Sequence, residues 1–157
     1  MARIATGNED DALEIVQEAM LTLAQRYAAR DEAEWGPLFR RILQNRIRDW
    51  YRRSRVRNRF RVWFKRDEEE DDPLENYPDP IPDEPLQRLE TEQFGKALEQ
   101  ALGKLPNRQQ QVFLLRAWEG LSVEEAAAAM GISAGSVKTH YSRAVHTLRE
   151  RLEEMQV

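Results

Sequence analysis

Residues 121–148 read LSVEEAAAAMGISAGSVKTHYSRAVHTL, and their local chemistry decides the fold. Ser122-Val-Glu-Glu125 is a capping box: a hydroxyl and a carboxylate three residues apart satisfy each other's backbone donors and open a short helix. That helix runs to Met130. Gly131-Ile-Ser133 follows as a tight turn, in which Gly131 is free to take the left-handed conformation and Ser133 to cap the next helix. The next helix carries Val137, Tyr141, Ala144, Leu148 and Leu152 on one face, at spacings of 4, 3, 4 and 4. A short helix, a glycine turn and a longer helix form a helix–turn–helix. Ala126 to Ala129 suit a close crossing of its two helices, although four alanines are also simply good helix formers. The opposite face of the long helix presents Ser136, Lys138, Thr139, His140, Ser142 and Arg143, short or cationic donors near its N-terminal end. Such a face can meet phosphates and base edges in a major groove.

Upstream of this unit, Phe94, Leu98 and Leu102 mark a helix that stops at Gly103, and a second helix runs from Pro106-Asn107 to Glu119 with Gly120 as its stop. Further upstream, residues 67–90 hold five of the seven prolines amid a dense run of acids, the composition of an extended linker. The expected organisation is therefore all-α. Two small helical domains, residues 1–65 and 91–157, are joined by an acidic Pro-rich linker at 66–90. In the first, Asn8 to Asp11 offer an N-cap, and Ala12, Ile15, Val16, Ala19, Met20, Leu23 and Tyr27 recur at helical spacing. A polar break near 30–34 precedes a second stripe of Trp35, Leu38, Phe39, Ile42, Leu43, Ile47 and Trp50, with Gly36-Pro37 expected in its first turn.

The formal net charge of the 157-residue chain is −4, but the charge is sharply segregated. Residues 40–66 carry a net +11, all but one of their basic groups Arg, and residues 67–92 carry −11. The basic block is a local footprint for a polyanion, with a solvated helix face as the competing reading. Trp50, Tyr51, Phe60, Trp63 and Phe64 interleave with these arginines, a composition that stacks bases while contacting phosphates, or that packs a core. With no Cys and only His140 and His146, the sequence offers no disulfide, no thiolate or histidine metal centre and no Cys nucleophile. It holds no glycine-rich phosphate loop either, so neither an enzyme, a metal nor a cofactor is expected. No apolar run approaches the roughly 20 residues of a spanning helix, and the start has no signal-peptide core, so a cytoplasmic protein without membrane insertion is expected.

These residues also resemble a family. Leu105-Pro-Asn-Arg-Gln-Gln-Gln-Val-Phe-Leu-Leu-Arg116, Glu119-Gly-Leu-Ser122, Met130-Gly-Ile-Ser133 and Gly135-Ser-Val-Lys138 are similar to region four of bacterial sigma factors of the extracytoplasmic-function (ECF) class. Asp11-Ala-Leu-Glu-Ile-Val-Gln-Glu18 resembles the acidic helix of region two, and Leu38-Phe-Arg-Arg-Ile-Leu-Gln-Asn45, with Asp49 and Arg52-Arg53, resembles the basic helix after it. The resemblance implies a promoter-specificity subunit that binds core RNA polymerase and promoter DNA, with an anti-sigma factor as a possible further partner. Asp11, Glu14, Gln17 and Glu18 would dock on polymerase. Asn45, Arg46, Asp49, Trp50, Arg52 and Arg53 would read and open the start-proximal promoter element. Ser136, Lys138, Thr139, His140 and Arg143 would read the upstream element. Leu13, Leu38 and Gln44 depart from the residues common at their positions, and the family's first region-two helices would lie ahead of Met1. The alternative is a stand-alone helix–turn–helix regulator, which needs neither the acidic helix nor the aromatic-basic segment.

Overall fold

The computed structural model describes residues 1–58 and 92–155. Phe60, Trp63, Phe64 and the acidic linker lie outside the described residues. Within them the chain forms α1 (Ala2–Thr6), α2 (Glu9–Tyr27), α3 (Glu32–Asn58), α4 (Glu92–Gly103), α5 (Asn107–Phe113), α6 (Val123–Met130) and α7 (Ala134–Glu154). No strand occurs among the described residues.

Local signals set most helix ends. Asn8 Oδ1 accepts from the backbone N–H groups of Asp10 and Asp11 at 2.8 and 3.2 Å, and Glu9, Asp10 and Asp11 lie at the positive end of the α2 dipole. α3 begins at Glu32 rather than at Trp35, because Glu32 and Glu34 suit its N-terminal end. This earlier start puts Pro37 in the second turn instead of the first. α1 carries no periodicity in the sequence and was not expected. Five residues cannot hold a helix by themselves; burial of Ala2 and Ala5 and a left-handed Gly7 cap, whose N–H reaches the Arg3 carbonyl, hold this one.

α2 and α3 pair through Ala12, Ile15 and Ala19 against Leu43 and Ile47, with Val16, Phe39, Ile42 and Trp50 at the margins. Met20 departs from its expected place in this stripe and is 59% exposed. At about 100° per residue it sits well round the helix from Ala19, beyond the sector that α3 covers.

In the second half, the chain from the second turn of α5 onward is enclosed: Gln110 to Leu115 are six consecutive buried residues. One side of it packs Phe113 and Leu114 against Leu98, Leu102, Ala144 and Leu148 of α4 and α7. The other packs Val112 and Leu115 against Leu121, Ala126, Ala129 and Val137. The expected single helix to Glu119 instead widens into a π-turn over Leu114–Trp118, with the Glu119 N–H bonded to the Leu114 carbonyl at 3.0 Å. The extra residue per turn leaves Trp118 on the surface, 77% exposed.

The two halves are in contact. α3 lies along α6, and α1 fits between α2, α3, α4 and α5, with Met1 against all three core clusters. Truncating Leu115, which has no exposure, to Ala should cost about 2–5 kcal/mol in urea unfolding of the full chain. Met20→Ala should stay within about 0.5 kcal/mol. Equal effects from the two would contradict this placement of the core.

Candidate nucleic-acid interface

The helix–turn–helix forms by the chemistry its sequence announces. The Ser122 hydroxyl accepts from the Glu125 N–H at 3.1 Å, and the Glu125 carboxylate accepts from the Ser122 N–H at 2.9 Å. Gly131 closes α6 at φ 67°, a conformation that penalises residues with a Cβ, and Ser133 Oγ accepts from the Ser136 N–H at 3.1 Å. Ala126 and Ala129 are buried against Val137, so the alanines do permit the close crossing.

The candidate reading residues of α7 do not all stand free. Lys138 is exposed. Ser136 Oγ accepts from the Ser133 hydroxyl at 2.9 Å, and the Thr139 hydroxyl donates to the Gly135 carbonyl at 3.1 Å. His140 and Arg143 are half-buried. Burial first, and then the cations Arg108 and Arg143, hold the His140 imidazole below its ordinary pKa, favouring the neutral ring. α7 is braced from within: Tyr141 stacks on Phe113 with ring centroids 6.0 Å apart, and the Arg116 guanidinium lies 5.5 Å over the Tyr141 ring. Arg116 also donates to the Leu121 carbonyl.

On α3, Asn45, Asp49, Arg52 and Arg53 are exposed, while Trp50 is half-buried and meets Tyr51 edge-on at 5.5 Å. Arg46 is turned back onto α2, donating to Glu18 Oε2 at 3.4 Å and to the Thr22 hydroxyl at 3.1 Å. Two residues assigned by resemblance to different partners, Glu18 to polymerase and Arg46 to DNA, therefore share one ion pair. Asp11, Glu14 and Glu18 also line a groove of about 90 Å³ with Trp50 and Arg53, which sets the acidic face of α2 beside the end of the basic helix. Gln17 is exposed on the same helix.

A larger cleft, about 260 Å³, opens between the halves. Arg48, Arg52 and Arg55 of α3 line it together with Arg108 and the Gly131-Ile132 turn. Sequence reading assigned no site role to Arg48, Arg55 and Arg108. The first two stand out only as part of the +11 block, and nothing local to Arg108 signals that α3 will lie beside it.

Comparison with known proteins is decisive at this point. The family described as "Sigma-70, region 4" matches residues 95–148, the segment containing α5, α6 and most of α7. An RNA polymerase sigma-E factor of Streptomyces avermitilis is 39% identical over 146 residues, covering 91% of this chain and 72% of the relative. The ECF RNA polymerase sigma factor EcfG of Rhodopseudomonas palustris is 32% identical over 142 residues, covering 88% of this chain and 70% of the relative. The chain belongs to the ECF sigma factors. The sigma factor RpoE of Bartonella quintana, solved with the anti-sigma factor NepR, shares the fold. Its TM-score is 0.62 at 24% identity, with coverage of 97% of this chain and 87% of that one. A sigma factor directs transcription initiation, and the helix–turn–helix of this one lies inside its region four. Among the described residues no helix is long and apolar enough to cross a membrane, and no cluster of His, Asp or Glu could hold a metal ion.

The state of His140 sets a pH dependence. Its pKa in the fold is depressed, so unfolding takes up a proton whenever the pH is low enough to charge the unfolded ring, whose ordinary value is 6.5. Stability is then undiminished well above pH 6.5 and falls as the pH drops through 6.5. The unfolding temperature of the full chain should decline between about pH 7.5 and 5.5, and His140→Gln should flatten that decline. An unchanged slope in the variant would assign it to other groups.

Proposed function

We propose that this sigma factor engages its partners through three sets of residues, the first two adjoining at the Arg46–Glu18 pair. The acidic face of α2, with Asp11, Glu14, Gln17 and Glu18, docks on core RNA polymerase. α3, with Asn45, Arg46, Asp49, Trp50, Arg52 and Arg53, reads and helps open the start-proximal promoter element. α7, with Ser136, Lys138, Thr139, His140 and Arg143, enters the major groove of the upstream element. The functional units follow the expected division, residues 1–65 and 91–157, with the acidic segment 66–90 as the tether. The chain catalyses no reaction, uses no cofactor and works in the cytoplasm with polymerase and promoter DNA. An anti-sigma factor is a further candidate partner, supported by the RpoE–NepR complex as structural neighbour.

One observation carries the DNA-reading part of this proposal. Ser133 caps α7 directly after the Gly131 turn, and Lys138 in its second turn is exposed while Ala126 and Ala129 of α6 are buried. A stand-alone regulator would use the same unit, but it would leave the acidic helix α2 without a role, and the relatives that span most of the chain are RNA polymerase sigma factors.

The direct experiment is reconstitution with core polymerase on a promoter library, where sequence-selective initiation is expected and its absence would contradict the proposal. Within that assay Lys138→Ala should weaken duplex binding evenly across sequences and lower the salt slope by about one unit. Arg143→Ala should cost about 1–3 kcal/mol at one base pair and relax preference there. Glu14→Lys should weaken polymerase binding several-fold and leave duplex affinity essentially unchanged; intact polymerase affinity would remove α2 from the docking surface.

A further inference from the structure

Four arginines converge on the cleft between the halves, three of them from one helix. Arg48, Arg52 and Arg55 are spaced 4 and 3 apart on α3, so they share a face, and Arg108 of α5 lines the same cleft with the Gly131-Ile132 turn. Among the described residues none of Arg48, Arg52 and Arg108 forms an ion pair. No carboxylate belongs to the described lining of the cleft either. Arg48 is directed along α3 by a bond from its Nη2 to Asn45 Oδ1 at 3.3 Å.

Folding gathers these cations at an electrostatic cost, because like charges repel across the cleft. An anion seated among them removes that cost, and the size of the cleft says which anion. About 260 Å³ is the space of roughly nine water molecules at about 30 Å³ each, more than a single phosphate fills. It falls short of the roughly 300–1,000 Å³ of sites that enclose a drug-sized ligand. A duplex, whose major groove alone is about 12 Å wide, is too bulky to enter it. A short chain of linked phosphates fits. It carries several negative charges, and each guanidinium can hold two of its oxygens at once.

We propose that the cleft is a binding site for condensed phosphate: two or three linked phosphates, free or as the tail of a nucleotide, held by Arg48 and Arg52 on one wall and Arg108 on the other. Where a nucleoside is attached, it projects outward past Tyr51, half-buried at the wall, whose ring can stack on a base. The site stands apart from the promoter assignment, which uses Arg52 but neither Arg48 nor Arg108.

Calorimetric titration of the full chain at physiological ionic strength tests it, with orthophosphate, pyrophosphate, tripolyphosphate and ATP as probes. Tripolyphosphate should bind at one equivalent, at least tenfold more tightly than orthophosphate, with pyrophosphate between them. Arg48→Gln and Arg108→Gln, one from each wall, should each weaken tripolyphosphate binding at least fivefold. Arg41→Gln, which removes the same charge from an exposed position of α3 outside the cleft lining, should change it less than twofold. Arg108→Lys keeps the charge without the paired N–H groups, so its loss should be intermediate; it also serves if Arg108→Gln loses helical circular dichroism. ATP binding tighter than tripolyphosphate, with the margin lost in Tyr51→Leu, assigns the ligand to nucleotides. Equal or weaker ATP binding assigns it to free condensed phosphate. No saturable binding at millimolar tripolyphosphate, no selectivity over orthophosphate, equal losses from Arg41→Gln and the cleft variants, or a loss from Arg48→Gln with none from Arg108→Gln would each overturn the site.

Discussion

Burial of α5 from Gln110 onward is the constraint on which the structure depends. A helix of only two turns has no stability of its own. Here it supplies the common wall of two apolar clusters and, through Gln110 and Gln111, the polar contact to α1 and α3. The π-turn at Leu114–Trp118 follows from the same demand. It lets the chain keep Leu114 and Leu115 inside while delivering Leu121 to the core and Ser122 to the start of α6. From there the crossing of α6 and α7, and hence the direction in which Lys138 points, is set by Ala126, Ala129 and Val137.

Charge is arranged around this framework in layers. The acids of α2 face one side and the arginines of α3 another, and the Arg46–Glu18 pair ties the two helices where they meet. Both partners of that pair are more than a third exposed, so its contribution to stability is small. Its effect is on geometry, because it holds Arg46 toward α2, while Arg48, Arg52, Arg53 and Arg55 of α3 are exposed. A chain of net charge −4 can serve a polyanion because its charges are segregated along the sequence, with +11 on residues 40–66.

What the sequence disclosed and what it hid divide by the range of the interactions. The Ser122–Glu125 box, the Gly131 turn, the Ser133 cap and the Asn8 cap each act within a few residues, and all were legible. The face of α7 through Val137, Ala144 and Leu148 was legible for the same reason, being a local periodicity. Helix α1, the exposure of Met20 and the widening after Phe113 depend on which neighbour arrives from elsewhere in the chain. The glutamines show this most clearly. Nothing local marks Gln110 and Gln111 as core residues, yet they are fully buried because α1, α4 and α3 bring partners to them. Likewise the half-buried setting of His140 and the diversion of Arg46 onto Glu18 follow from packing that no local pattern encodes.

The central claim is that one chain reads two distinct promoter segments, one with α3 and one with α7, while bound to polymerase. Photo-crosslinking tests this most directly, with a reactive residue at position 52 in one preparation and at position 138 in another, each in the complete polymerase–promoter complex. The account predicts crosslinks to two separate segments, the start-proximal one from position 52 and the upstream one from position 138. Crosslinks from both positions to a single segment, or none from position 138 in a complex that initiates, would contradict it.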